Sequence, residues 1–136
     1  MVKGITYILN TDATFQTRVG TNVSGSKYKA YPCIAPETET HPFSIVKMTT
    51  RQLQHKGRST FSGEFTVVSY HKNYDQVDEL DDAVIEALVP IRGTYNGINF
   101  GYIEYLSTSD DFVDVNGGLY VRTSSFTFSY TKTALS

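Results

Sequence analysis

Tryptophan is absent from this chain, and cysteine occurs once, at Cys33. A lone thiol cannot close an intramolecular disulfide, and it excludes zinc sites built from several cysteines. Beside Pro32 in an apolar stretch, Cys33 is expected to act as a small packed hydrophobe. Charge of one sign is scarce as well. Fourteen acidic against twelve basic residues leave a net charge of −2 and a sequence pI near 5.9. Such a balance supplies no overall field for nucleic-acid phosphates, so a DNA reader would need a local basic stripe. Long apolar runs are also missing. None approaches the ~20 residues of a membrane helix, and the run at 5–9 is too short for the core of a signal peptide. The chain is therefore expected to be made, and to work, in a cytoplasm or in a particle assembled there.

Catalytic signatures are equally sparse. His41, His55 and His71 lie far apart with no Cys or His at ligand spacing, and a surface or strand role is expected of them. Ser124-Ser125 lacks the glycines of a nucleophile elbow, and no glycine run has phosphate-loop spacing. Asp110, Asp111, Asp114 and Asn116 offer the oxygens that a calcium ion wants, but not the spacing or the terminal Glu of an EF-hand. A solvated turn before Gly117-Gly118 is the expected reading there. Neither enzymatic activity nor a cofactor or metal is expected.

What the chain does contain is aromatic, β-branched and hydroxyl-bearing. Ten Tyr and eight Phe favour strands over a helical bundle. The most telling segment runs from 58 to 90, where a strand with Phe65, Val67, Val68 and Tyr70 leads into a helix. From Asp75 the period changes, and Val77, Leu80, Val84, Ile85 and Leu88 share one side of a helix turning ~100° per residue. Asp75, Asp78, Glu79, Asp82 and Glu86 occupy the other side. Asp81 breaks the pattern at the border of the apolar stripe and is expected to be hydrogen-bonded to a neighbour or to reach water, in preference to an inter-subunit contact. Asn73 or Asp75 can cap the first turn, and Pro90 should stop the helix by disfavouring helical geometry at Val89.

Elsewhere, Val2, Ile5, Ile8 and Leu9 fit a short N-terminal helix, and Asp12 can cap a second that Gly20 ends. Strands are expected at 28–34, which Pro32 confines to an edge, and at 43–53, 60–70, 99–107 and 119–132. The last has the clearest period of two, with Tyr120, Arg122, Ser124, Phe126, Phe128 and Tyr130 facing one way. Residues 20–29, 54–59 and 108–118 read as loops. The first two bury little apolar surface and are expected to be mobile until partners order them. The sum is a single domain over 1–136 of class α+β. It should be a mainly antiparallel sheet of four to five strands packed on a long amphipathic helix, with short N-terminal helices.

With these elements in order, the chain resembles the tail-completion, or tail-terminator, proteins of long-tailed bacteriophages over nearly its full length. The resemblance is carried by Tyr7-Ile8-Leu9-Asn10-Thr11-Asp12-Ala13 with Val19-Gly20, and by Tyr31-Pro32-Cys33-Ile34-Ala35-Pro36 leading to His41-Pro42-Phe43. It continues through Gly63-Glu64-Phe65-Thr66-Val67-Val68-Ser69-Tyr70 and Asp82-Ala83-Val84-Ile85-Glu86-Ala87-Leu88. Gly118-Leu119-Tyr120 through Phe126-Thr127-Phe128-Ser129-Tyr130 completes it. Gly4 and Thr6 depart from the fuller first helix usual in the family, and the loop at 20–29 is longer than its usual one. The resemblance implies a ring, typically of six subunits, that caps the finished tail tube, ends its polymerisation and presents the surface joining a filled head. It implies as partners other copies of the chain, the tail-tube protein and a head–tail connector or stopper protein. DNA is met only in transit through the lumen, no membrane is involved, and the location is the tail or neck of a virion assembled in the bacterial cytoplasm.

Three other readings stand beside this one: a neighbouring head–tail connector or stopper protein, a non-viral α+β binding module, and an enzyme with an unrecognised site. For a ring, the charge pattern suggests a junction. The basic set Arg51, His55, Lys56 and Arg58 of one subunit would face Asp75, Asp78, Glu79 and Asp82 on the helix of the next.

Overall fold

A computed structural model describes residues 1–20, 29–35, 42–53, 60–95, 97–113 and 119–132. In chain order these form α1 (Val2–Thr11), α2 (Ala13–Val19), β1 (Ala30–Pro32), β2 (Phe43–Leu53), β3 (Thr60–His71), α3 (Tyr74–Leu88), β4 (Gly93–Tyr95), β5 (Ile98–Val113) and β6 (Leu119–Lys132). The strands make one sheet in the order β1-β2-β3-β6-β5-β4. Every pairing is antiparallel except β1 with β2.

All three helices contribute to a core on one face of this sheet. Ile5, Leu9, Phe15, Leu80, Val84 and Leu88 from the helices meet Val46, Phe65, Val67, Phe100, Ile103, Phe126 and Phe128. The alternation along β6 places Phe126, Phe128 and Tyr130 there, fully buried. Phe65 stacks on Phe126 with ring centroids 5.1 Å apart. The other face of the sheet carries a ladder of hydroxyls. Thr66, Ser125 and Ser107 stand in one row, and Thr123 and Ser109 in the next. At its β1 end this face also carries Phe43, whose ring lies 5.0 Å from that of Tyr70 and 6.4 Å from that of Tyr31.

Local chemistry sets the ends of the elements. Asp12 accepts a bond from the backbone N–H of Phe15 at 2.9 Å and so starts α2, and Gly20 ends it at φ +72°, in the left-handed region open to glycine. Asn73 is the cap of α3, accepting from the N–H of Gln76 at 3.2 Å. Gly4, inside α1, packs closely against the ring of Phe100: a Cβ there would lie 3.2 Å from it, so the ring would have to give by a few tenths of an ångström. Helix α1 also reaches the sheet through Asn10, whose amide accepts from Ala30 N at 2.9 Å and donates to Ala30 O at 3.1 Å.

Several expectations need correction. Among the described residues the sheet already has six strands, not four to five. β4 is only three residues long, too short to leave a period, and β1 is likewise shorter than the 28–34 expected. Residues 108–113 are strand, not loop: their polar side chains are matched by β6, Thr108 opposite Ser124 and Asp110 opposite Arg122. An unbroken period of two along the strand expected at 99–107 would put Phe100 and Ile103 on opposite faces, but a register shift at Gly101 places both in the core, and a second shift follows at Leu106. Pro90 does not push Val89 from helical geometry, since Val89 has φ −60° and ψ −40°. Pro90 lacks the N–H that would continue the ladder.

Cys33 is not packed. It is exposed, with φ +64°, where the chain leaves β1. Lys29, at the end of the expected loop, is buried instead, and its carbonyl accepts from Ser44 N at 3.0 Å. The expected mobility of 20–29 and 54–59 falls on 21–28 and 54–59, outside the described residues.

Candidate interaction surface

The outer face of α3 is acidic, with Asp75, Asp78, Glu79, Asp82 and Glu86 all exposed. Two of the carboxylates are already engaged inside the subunit. Glu79 pairs with Arg18 of α2 at 3.1 Å, and both are well exposed. Asp78 pairs with Arg122 of β6. Asp75 and Asp82 make no hydrogen bond or ion pair among the described residues, so they remain available to a neighbour. Of the basic set, Arg51 lies on β2, where its guanidinium donates to Tyr130 Oη at 3.2 Å and stands 5.0 Å from the centre of the Phe61 ring. His55, Lys56 and Arg58 lie outside the described residues.

Arg122 is the charged centre that sequence reasoning passed over. The alternation of β6 puts it on the covered face, between Tyr120 and Ser124, and it is 8% exposed. Its guanidinium binds Asp110 through Nε at 2.6 Å, Asp78 through Nη1 and Tyr74 Oη through Nη2 at 3.2 Å. It also lies 5.5 Å from the centre of the Tyr74 ring. The bond from Arg122 holds the Asp110 carboxyl below the usual carboxylate range. An arginine at an inward position of an otherwise apolar and hydroxyl period was the available signal, because a buried guanidinium needs several acceptors.

Asp81 lies one turn further along α3 and is 2% exposed. Burial pushes its carboxyl up, against the bond donated by Ser124 Oγ and the charge of Arg122, which lower it. Ser124 Oγ lies 2.8 Å from Thr108 Oγ1, which in turn meets Tyr105 Oη. Since Ser124 spends its only proton on Asp81, Thr108 must donate to Ser124, and Tyr105 to Thr108. The expectation of a hydrogen-bonded boundary carboxylate thus holds, with Ser124 as the neighbour. Asp81 does not reach water.

Chemically, this cluster is a clamp. It ties the first turns of α3 to the β5–β6 hairpin and presents no nucleophile to a cleft. Asp110 and Asp111 point to opposite sides of β5, and Asp110 already has its cation in Arg122, while Asp114 and Asn116 lie outside the described residues. Among the described residues no three His, Cys, Asp or Glu side chains gather as metal ligands. Ser124 is a buried donor to a carboxylate. His71, at the end of β3, accepts from Asn73 N at 3.1 Å. An open polar groove runs between α2 and α3 past Thr17, Arg18, Gln76 and Glu79. Among the described residues no helix is long and apolar enough to cross a membrane.

No protein-family model matches the chain, and no curated protein matches it. Among solved structures, its fold matches a chain from the virion of a native gene transfer agent particle. The chain shares its fold with a virion component. The match has a TM-score of 0.72 over 96% of this chain and 94% of the other, at 14% identity. A likeness extending over nearly the whole of both chains takes in the helices as well as the sheet.

Proposed function

We propose that the protein is a structural component of a phage-type virion, and specifically a tail terminator. In this reading copies of it form a ring, typically six, in the neck. The ring caps the tail tube, ends its polymerisation and offers its other face to a head–tail connector or stopper protein, with DNA passing through the lumen. The observation that carries the reading is the fold shared end to end with a chain of a gene transfer agent virion. The sequence resemblance to tail-completion proteins adds the finer placement. The role calls for no catalysis, cofactor or metal; it needs a rigid sheet, side-to-side contacts that close, and partner surfaces above and below.

Within the ring, the exposed Asp75 and Asp82 are the carboxylates proposed to face Arg51, His55, Lys56 and Arg58 of the neighbour. Asp78 and Glu79, held by Arg122 and Arg18, shape that face from within their own subunit. Deleting the gene from its phage tests the placement. A terminator leaves tails of irregular excess length beside unjoined filled heads. A connector or stopper instead leaves tails of normal length and heads that lose their DNA, and that outcome would move the protein to the neighbouring position.

A further inference from the structure

Among the described residues, both edges of the sheet are open over part of their length, and the open parts are level with each other. β5 has 16 residues, but β4 pairs only with Ile98, Asn99 and Phe100. β2 has 11 residues, but β1 pairs only with Ser44, Ile45 and Val46, with Cys33 N adding a bond to Val46 O. Among the described residues no strand lies beside 101–113 of β5 or 47–53 of β2. Each stretch offers a row of N–H and C=O groups to a further strand.

Register across the sheet fixes their heights. Lys47 lies in one row with Thr66, Ser125 and Ser107, and Gln52 in one row with Ser62, Ser129 and Tyr102. The short strands shield opposite ends: β1 covers β2 above this band and β4 covers β5 below it. The outer backbone groups of Ala30 in β1 are taken by Asn10.

Direction and charge identify what fits. Through three antiparallel pairings, β2 and β5 run in opposite directions. A second copy related by the rotation of a ring therefore brings its β2 antiparallel to this β5, and the sheet continues in the same order. Lys47 on β2 and Glu104 on β5 are exposed on the same helix-free face, so this arrangement sets opposite charges a diagonal step apart. Pairing two β5 edges antiparallel would instead bring the acidic Glu104 of one copy toward Asp111 of the other. Each edge also carries an extra residue, Thr49 on β2 and Leu106 on β5, and the two flank the single row of Met48, Phe65, Phe126 and Tyr105. Such bulges reject a regular strand, while Leu106, 50% exposed, offers apolar surface to a matching one.

We propose that the open edge of β5 in one copy pairs antiparallel with the open edge of β2 in the next, joining subunits by continuation of the sheet between 102–107 and 47–52. The proposal rests on the ring reading above and adds the junction.

Cysteine pairs test it in a Cys33→Ser background, with the protein assembled on tail-tube protein and then oxidised. Lys47→Cys is combined in turn with Glu104→Cys, Ser107→Cys and Ser109→Cys, which cover one step of stagger in either direction. One of these pairs is expected to give a ladder of covalent multiples up to the closed ring, with no ladder from any single variant. In parallel, Glu104→Lys should raise the concentration needed for rings about fivefold at low salt, and adding Lys47→Glu should restore it. Rings that form normally with no ladder from any pair and no response to either charge change would overturn the junction and leave the ring standing. An unmodified protein that stays monomeric and ignores the tube would overturn both.

Discussion

Replacing Arg122 by Met gives the sharpest test of what holds α3 to the sheet. The side chain of Arg122 is 10% exposed, whereas those of its partners Asp78 and Asp110 are 52% and 49% exposed. Met keeps most of the aliphatic volume, so no large cavity forms. The loss lies between two limits: an exposed ion pair contributes ~0–1 kcal/mol, and breaking a buried one costs ~3–5 kcal/mol. Because water can take over both carboxylates but could not reach the guanidinium, about 2 kcal/mol is expected. For 136 residues unfolding with ~2.1 cal/mol/K each, that is a fall in Tm of about 7 °C. The effect should also depend on pH. The folded-state pKa of Asp110 is depressed by Arg122, so its contribution is fully present above the ordinary carboxyl value and is lost as pH falls through the lowered one. Urea midpoints of the two proteins should therefore converge below about pH 4. A variant within ~0.5 kcal/mol of the parent at pH 7, with an unchanged gap at pH 3, would refute the clamp.

Asp81 predicts the opposite slope. Its folded-state carboxyl is raised by burial, so the folded protein gains stability as pH falls through that raised value toward the ordinary one near ~3.9, and Asp81→Asn should remove this gain in urea titrations between pH 4 and 7. Ser124→Ala leaves the buried carboxylate without its hydroxyl donor and should cost about 1–3 kcal/mol at pH 7 by the same measurement. Leu80→Ala, at a fully buried position of α3, should cost about 2–5 kcal/mol in chemical denaturation, whereas Ile85→Ala on the flank of the same stripe should cost less. Lys56→Glu with Arg58→Glu should weaken ring formation at low salt and be rescued by Asp75→Lys with Asp82→Lys; assembly indifferent to all four changes would return that helix face to solvent.

The parts of the fold legible in the sequence were those where a period met a covered surface. Val77, Leu80, Val84 and Leu88 mark the buried side of α3, and the alternation from Tyr120 to Tyr130 marks the covered face of β6. β2 and β6 have the expected bounds for the same reason. Legibility failed where partners, not hydrophobicity, hold the chain. Residues 108–113 look like loop because Thr108 and Asp110 are polar, yet each meets a polar partner on β6 that only the register reveals. The bulge at Gly101 hid the true face of Ile103 relative to Phe100, and the one at Leu106 hid that of the residues after it, since one inserted residue inverts a period of two. Of the proposed junction residues, the exposure of Asp75 and Asp82 follows from helical spacing. The engagement of Asp78 by Arg122, 44 residues away, does not.

The central claim, that copies of this chain cap a tail tube, is met most directly by negative-stain imaging of the purified protein alone and after mixing with its tail-tube protein. Closed rings seated at the ends of tubes that have stopped growing are predicted, whether or not the free protein is already a ring. Tubes that keep elongating with bare ends, in the presence of a protein that remains monomeric at high concentration, would contradict it.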